Sequence, residues 1–150
     1  MAGLGEMAEH ERAGPEGDPG RYELIERVRS ASGQGAVHRA ILRSGAPNGS
    51  AGAGAGALPP PGTVVSLKRV PRQAPGAGRI EEVHAAVARR RHPALGRQVE
   101  VFRGESGALC VVAVWVDGTT LAERARGATV REVLGWVRPV AEALDFLHAD

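Results

Sequence analysis

The sequence predicts an α+β fold: a five-stranded antiparallel sheet with one packed helix, followed by a short helix and a long amphipathic helix. Five short runs rich in Val, Ile, Leu and aromatic residues recur between positions 22 and 116, each bounded by Gly, Ser, Pro or Asp. One stretch between them, and the end of the chain, instead repeat apolar residues at spacings of 3 and 4. A length of 150 residues, 43% hydrophobic and 24% charged, suits one ordinary domain.

Residues 1–20 carry Gly14-Pro15, Gly17, Pro19 and Gly20 without apolar periodicity, and read as a disordered leader. From Tyr22 a strand runs to Val28. After the Ser/Gly stretch Ser30–Gly35, residues Ala36–Leu42 return as its hairpin partner. Residues 44–62, with Gly52-Ala53-Gly54-Ala55-Gly56 and Pro59-Pro60-Pro61, offer nothing to a core and read as a flexible Gly/Ala/Pro insertion. Thr63–Val70 is a third strand, stopped by Pro71. Gly76 and Gly78 lead into a helix of about three turns on Ile80, Val83 and Val87, which ends at His92-Pro93.

Arg97–Phe102 and Ala108–Val116 are the last two strands, turned by Glu105-Ser106-Gly107, and the apolar run Leu109–Val114 suggests burial on both faces. Asp117-Gly118 closes this body, residues 21–116, and Thr120–Arg126 is a short helix. Thr129 with Glu132 has the form of a capping box. Behind it Val130, Val133, Leu134, Val137, Val140, Ala141, Leu144 and Leu147 share one face of a helix over 129–148. Pro139 removes one bond of that helix, to the carbonyl of Gly135, where glycine leaves room for a bend.

Composition removes several function classes. No apolar run reaches the ~20 residues of a membrane helix, and the acidic N-terminus (Glu6, Glu9, Glu11, Glu16) has neither part of a signal peptide. Cys110 is the one cysteine, which excludes an internal disulfide and a cysteine-built zinc site, fits a reducing cytoplasm, and reads as a buried small hydrophobe. His38, His84, His92 and His148 lack metal-ligand spacing and read as surface or packing residues, so no metal site is expected within the chain. Net charge is +2, made of −4 over residues 1–20 and +6 over 21–150. Apart from Arg89-Arg90-Arg91, read as a solvated helix end, the positive charge is dispersed, and only five aromatics could stack bases. Nucleic-acid binding is not expected.

One detail is sharper. Of the 19 basic residues 18 are arginine, and the exception is Lys68. A compact ammonium and a planar guanidinium do different chemistry, so the exception invites a chemical reason.

The order of elements and four short motifs resemble the N-terminal lobe of a bacterial-type serine/threonine protein kinase, continuing into the first long helix of the C-terminal lobe. Val65-Ser66-Leu67-Lys68 resembles the Val-Ala-Ile-Lys strand of that family. Arg91-His92-Pro93-Ala94-Leu95 resembles the link after its regulatory helix. Val111–Leu121 resembles the gatekeeper, hinge and following helix, and Val140–Ala149 the end of the helix before the catalytic loop.

The resemblance implies ATP as ligand. Lys68 would hold the α/β-phosphates. Glu82 is the candidate for the helix glutamate that pairs with this lysine, although spacing from His92 puts the family position on Val83, one residue away, and Glu81 lies one residue further back. Gly33, Gly35 and Val37 would belong to the glycine loop and adenine roof, and the loop equally fits an ordinary hairpin turn because Ser and Ala occupy other glycine positions. Ser66 stands at the alanine of the adenine slot, Ala113 would be a small gatekeeper, and the backbones of Val114 and Val116 would meet the adenine.

The catalytic-loop aspartate and the Mg2+ ligands of the family are expected beyond Asp150, so the chain, ending before the catalytic loop, is not expected to transfer phosphate alone. The functions implied are the ATP-binding portion of a cytoplasmic protein kinase, whose protein substrate would bind the C-terminal lobe, or alternatively a pseudokinase or scaffold lobe. An unrelated α+β interaction module is the third reading. The long helix, without a second lobe, should expose an apolar stripe.

Overall fold

The protein is described here by a computed structural model, over residues 11–28, 35–44, 58–104 and 106–149. Its elements are β1 (Arg12–Ala13), β2 (Tyr22–Val28), β3 (Ala36–Leu42), β4 (Val64–Val70), α1 (Ala77–Ala88), β5 (Gln98–Arg103), β6 (Leu109–Val114), α2 (Leu121–Arg124) and α3 (Val130–His148). The strands form one antiparallel sheet in the order β1-β2-β3-β4-β6-β5. The β5–β6 hairpin thus inserts its second strand next to β4.

The expected five strands, helix, short helix and long helix are all present, and a sixth strand is added. It comes from the segment read as a disordered leader. Arg12 and Ala13 pair with Glu23 and Tyr22, the Leu24 N–H donates to the Glu11 carbonyl at 2.8 Å, and Ala13 is buried. The turn that feeds this strand into β2 brings backbone to backbone: a Cβ on Gly14 would lie 1.8 Å from the Asp18 carbonyl oxygen, so only glycine fits. The rest of the leader, residues 1–10, lies outside the described residues, as does most of the Gly/Ala/Pro insertion, residues 45–57. The end of that insertion also departs from expectation, because Leu58 packs against the core and the Gly62 N–H donates to Leu42.

Alternation along the strands sends Tyr22, Leu24, Ala40, Leu42, Val65, Leu67, Cys110 and Val112 to one face, where they make the core with Val99 and Phe102. Tyr22 and Phe102 stack with ring centroids 5.9 Å apart. The run Leu109–Val112 is buried throughout, as its composition suggested. At the edge of this core the Tyr22 hydroxyl donates to Glu100 at 2.5 Å, and Arg21 donates to Asp18 and Glu100. Burial and the adjacent Glu100 carboxylate drive the Tyr22 phenol far above its ordinary pKa, so it remains a donor.

The capping box at Thr129 and Glu132 is formed, and α2 has a second one at Thr120 and Glu123. Helix α3 continues through Pro139 and buries only Ala143, while Val130, Leu134, Val137, Val140 and Leu144 are exposed. Its last turn is held elsewhere. Arg90, just past α1, donates to the carbonyls of Phe146 and Leu147 at 3.0 and 3.3 Å and lies over the Phe146 ring, against which His92 also packs. Arg90 therefore caps a second helix and is not the solvated charge expected from the sequence.

Candidate functional site

The face of the sheet opposite the core is where the chemistry-bearing residues gather. Side chains directly opposite one another in neighbouring strands share a face. Register aligns Val37 with Lys68 and Lys68 with Val111. The adjacent row aligns Arg39 with Ser66, Ser66 with Ala113, and Ala113 with Gln98, crossing four strands. Four residues singled out in the sequence, Val37, Ser66, Lys68 and Ala113, therefore form one patch, each half-buried. The Ser66 hydroxyl donates to the Ala113 carbonyl at 3.4 Å.

Strand β6 leaves the sheet at the end of this patch. The Val114 N–H donates to Arg97 and the Trp115 N–H to Val64, after which Val116 stands 73% exposed beyond the ladder. Trp115 is fixed on both sides: its indole N–H donates to Asp117 at 2.9 Å, and the Arg39 guanidinium lies 5.4 Å from its ring centroid.

Gly35 opens β3 with φ near +90°. A Cβ there would come within 2.1 Å of the Arg69 carbonyl oxygen, so glycine allows β3 to close against β4 beside Lys68. Gly33, the other glycine named from the sequence, lies outside the described residues.

Helix α1 packs on β5 and β6. Its inner stripe is Ala77, Ile80, His84 and Val87, at spacings of 3 and 4, and Val83 is 49% exposed. The acids lie outside that stripe. Glu81 binds Arg103 at 2.7 Å, and Glu82 is exposed. Among the described residues Lys68 makes no ion pair with either glutamate. The titratable residue on the inner stripe is His84, which faces Gln98 of β5. Burial pushes the His84 imidazole below its ordinary pKa, the Gln98 amide works against that shift, and the Lys68 ammonium adds to it.

Buried polar atoms without partners concentrate on this same side. Among the described residues they are Arg39 Nε, His84 Nδ1 and Gln98 Oε1. Arg39 and Gln98 belong to the row through Ser66 and Ala113, and His84 faces Gln98 from α1. Sequence reading missed Arg39, Gln98 and Trp115 as members of this patch; their signal is strand parity with Ser66, usable once the register is known.

A cavity of about 480 Å³ opens on the core side, lined among others by Glu11, Arg69 and Cys110, and so does not belong to this patch. Cys110 is buried, as expected, and burial raises its thiol pKa. Among the described residues no group of three or more His, Cys, Asp or Glu could hold a metal ion, and no helix is long and apolar enough to cross a membrane.

No protein-family model matches the sequence, and no curated protein matches it either. Solved structures do. The kinase domain of PknI from Mycobacterium tuberculosis superposes with a TM-score of 0.63 at 20% identity, covering 86% of this chain and 48% of that domain. A second structure of the same domain gives the same values, and a cysteine-to-alanine mutant of it gives a TM-score of 0.62. The fold is that of a protein-kinase N-terminal lobe. The chain spans about half the length of the kinase domains it matches. At this identity the likeness carries the fold alone.

Proposed function

We propose that this kinase-like lobe binds ATP on the face carrying Lys68, as the nucleotide-binding part of a protein kinase. The adenine would lie against Val37, Ser66 and Ala113, with its polar edge toward the backbone of Val114 and Val116. The phosphates would meet the Lys68 ammonium, a compact charge on a flexible stem. The observation that carries this reading is the register that joins Val37, Lys68, Ser66 and Ala113 on one face.

Phosphoryl transfer to a protein hydroxyl would additionally need a base and Mg2+ ligands, which a second lobe would supply. The test is titration of the protein with ATP and Mg2+ by calorimetry. Binding that weakens about tenfold or more in Lys68→Met, the loss of one charge-assisted contact, is the expected result. Absence of binding at millimolar ATP, or binding indifferent to Lys68, overturns it.

The commitment of Glu81 to Arg103 and the exposure of Glu82 favour a second reading, a pseudokinase or scaffold lobe that lacks the lysine–glutamate pair. Tight, Lys68-dependent binding of ATP with Mg2+ counts against it.

A further inference from the structure

Helix α3 carries an apolar stripe that the described residues leave open. Val130, Leu134, Val137, Val140 and Leu144 are 42–77% exposed, and a contiguous apolar surface of this kind marks an interaction site. The stripe is symmetric about Val137. Leu134 and Val140 stand three residues to either side of it, and Val130 and Leu144 seven. Two copies laid antiparallel with their Val137 side chains together therefore set Leu134 against Val140 and Val130 against Leu144, each contact made twice.

We propose that the occupant of this stripe is the same stripe of a second copy, so that the chain forms an antiparallel two-fold dimer through α3. The charges fit the same register. At about 100° per residue, Arg131, Arg138, Glu142 and Asp145 fall along one edge of the stripe, all exposed. The opposite edge holds the half-buried Trp136 and Leu147 and the buried Ala143. The charged edge is basic toward its N-terminal end and acidic toward its C-terminal end. Antiparallel pairing brings this edge of one helix against the same edge of the other, with Arg131 between the Glu142 and Asp145 positions of the second copy. Parallel pairing would instead set the charged edge against the covered one. The one like-charge approach, of Arg138 to its symmetry mate near the two-fold, is offset because each Arg138 donates to Glu142 of its own helix at 2.9 Å. Each lobe is held to the last turn of its own α3 by Arg90, so the two-fold sends the lobes to opposite ends of the pair.

The test is sedimentation of the chain over a hundredfold range of concentration reaching about 0.1 mM, where a dimer and its dissociation are both read. The wild type should sediment with the mass of two chains, and Leu134→Glu as a monomer with unchanged circular dichroism. Arg131→Asp should weaken the dimer about tenfold by removing two symmetric surface pairs, and adding Asp145→Arg should restore it. Residues 131 and 145 lie about 21 Å apart along one helix, so rescue can arise only between copies. Orientation is read by oxidation. Val137→Cys, on the two-fold, should link two chains through a disulfide, whereas Val130→Cys should not, because the antiparallel register separates its two copies beyond disulfide reach. A monomer throughout the concentration range overturns the inference, whether the stripe stays open or another segment of the same chain folds over it. A dimer indifferent to Leu134→Glu, or equal cross-linking at positions 130 and 137, overturns it as well.

Discussion

Arg21 Nη1 donates to both carboxylate oxygens of Glu100, at 3.1 and 2.9 Å, and joins the start of β2 to β5 at the edge of the core. Both side chains are about nine-tenths buried. A pair of this kind is worth little against an apolar replacement but is costly to break from one side, because the other charge stays buried. Glu100→Ala should therefore destabilise the fold by about 3 kcal/mol or more, read as a lower urea midpoint. Tyr22→Phe, which removes one donor to the same carboxylate, should cost about 1 kcal/mol.

Asp18 gives this corner a pH dependence. Hydrogen bonds from Ser44 and Arg21, with the Arg21 charge, hold its carboxyl below the ordinary value against the opposing effect of burial. A depressed acid contributes stability that is complete above the unfolded pKa, about 3.9, and is lost as pH falls through the folded one. Melting temperature should thus fall below pH ~4, and Asp18→Asn should fall less steeply over that window. An identical acid profile for the two proteins would count against the assignment.

Gly35→Ala should be among the most damaging changes near the candidate site. The positive φ alone costs an L-residue about 1–3 kcal/mol, and the added methyl would overlap the Arg69 carbonyl. Denaturation should show a loss of at least that size, and β3 should shift away from Lys68, visible as changed amide signals of Val37 and Lys68.

Thr129→Ala should cost about 1 kcal/mol by leaving the Glu132 amide at the start of α3 without its cap. Helical circular dichroism lost on heating at a lower temperature is the expected readout.

Much of this architecture is written locally. Tyr22–Val28, Ala36–Leu42 and the Thr129 cap announce themselves through alternation and capping chemistry, which depend on neighbours a few residues away. β1 was illegible because two residues just ahead of Gly14-Pro15 carry no periodicity, and it exists only through tertiary pairing with Glu23 and Tyr22. At the candidate site, Lys68 was conspicuous as the single lysine. The partnership of Arg39, Ser66, Ala113 and Gln98 depends on the register of four strands, and no local pattern encodes that. The α1 stripe turned on one residue of helical phase: Val83 and His84 differ by about 100°, and apolar spacing favoured Val83 while packing against β5 selected His84.

The grip of Arg90 on the terminal carbonyls of Phe146 and Leu147 ties the segment just past α1 to the tail of α3. Any displacement of the α1 end must therefore either draw the final turn of α3 along or release its carbonyls from Arg90. The tail of α3, whose helix buries only Ala143, is thereby moored to the lobe by a single side chain and the His92 ring.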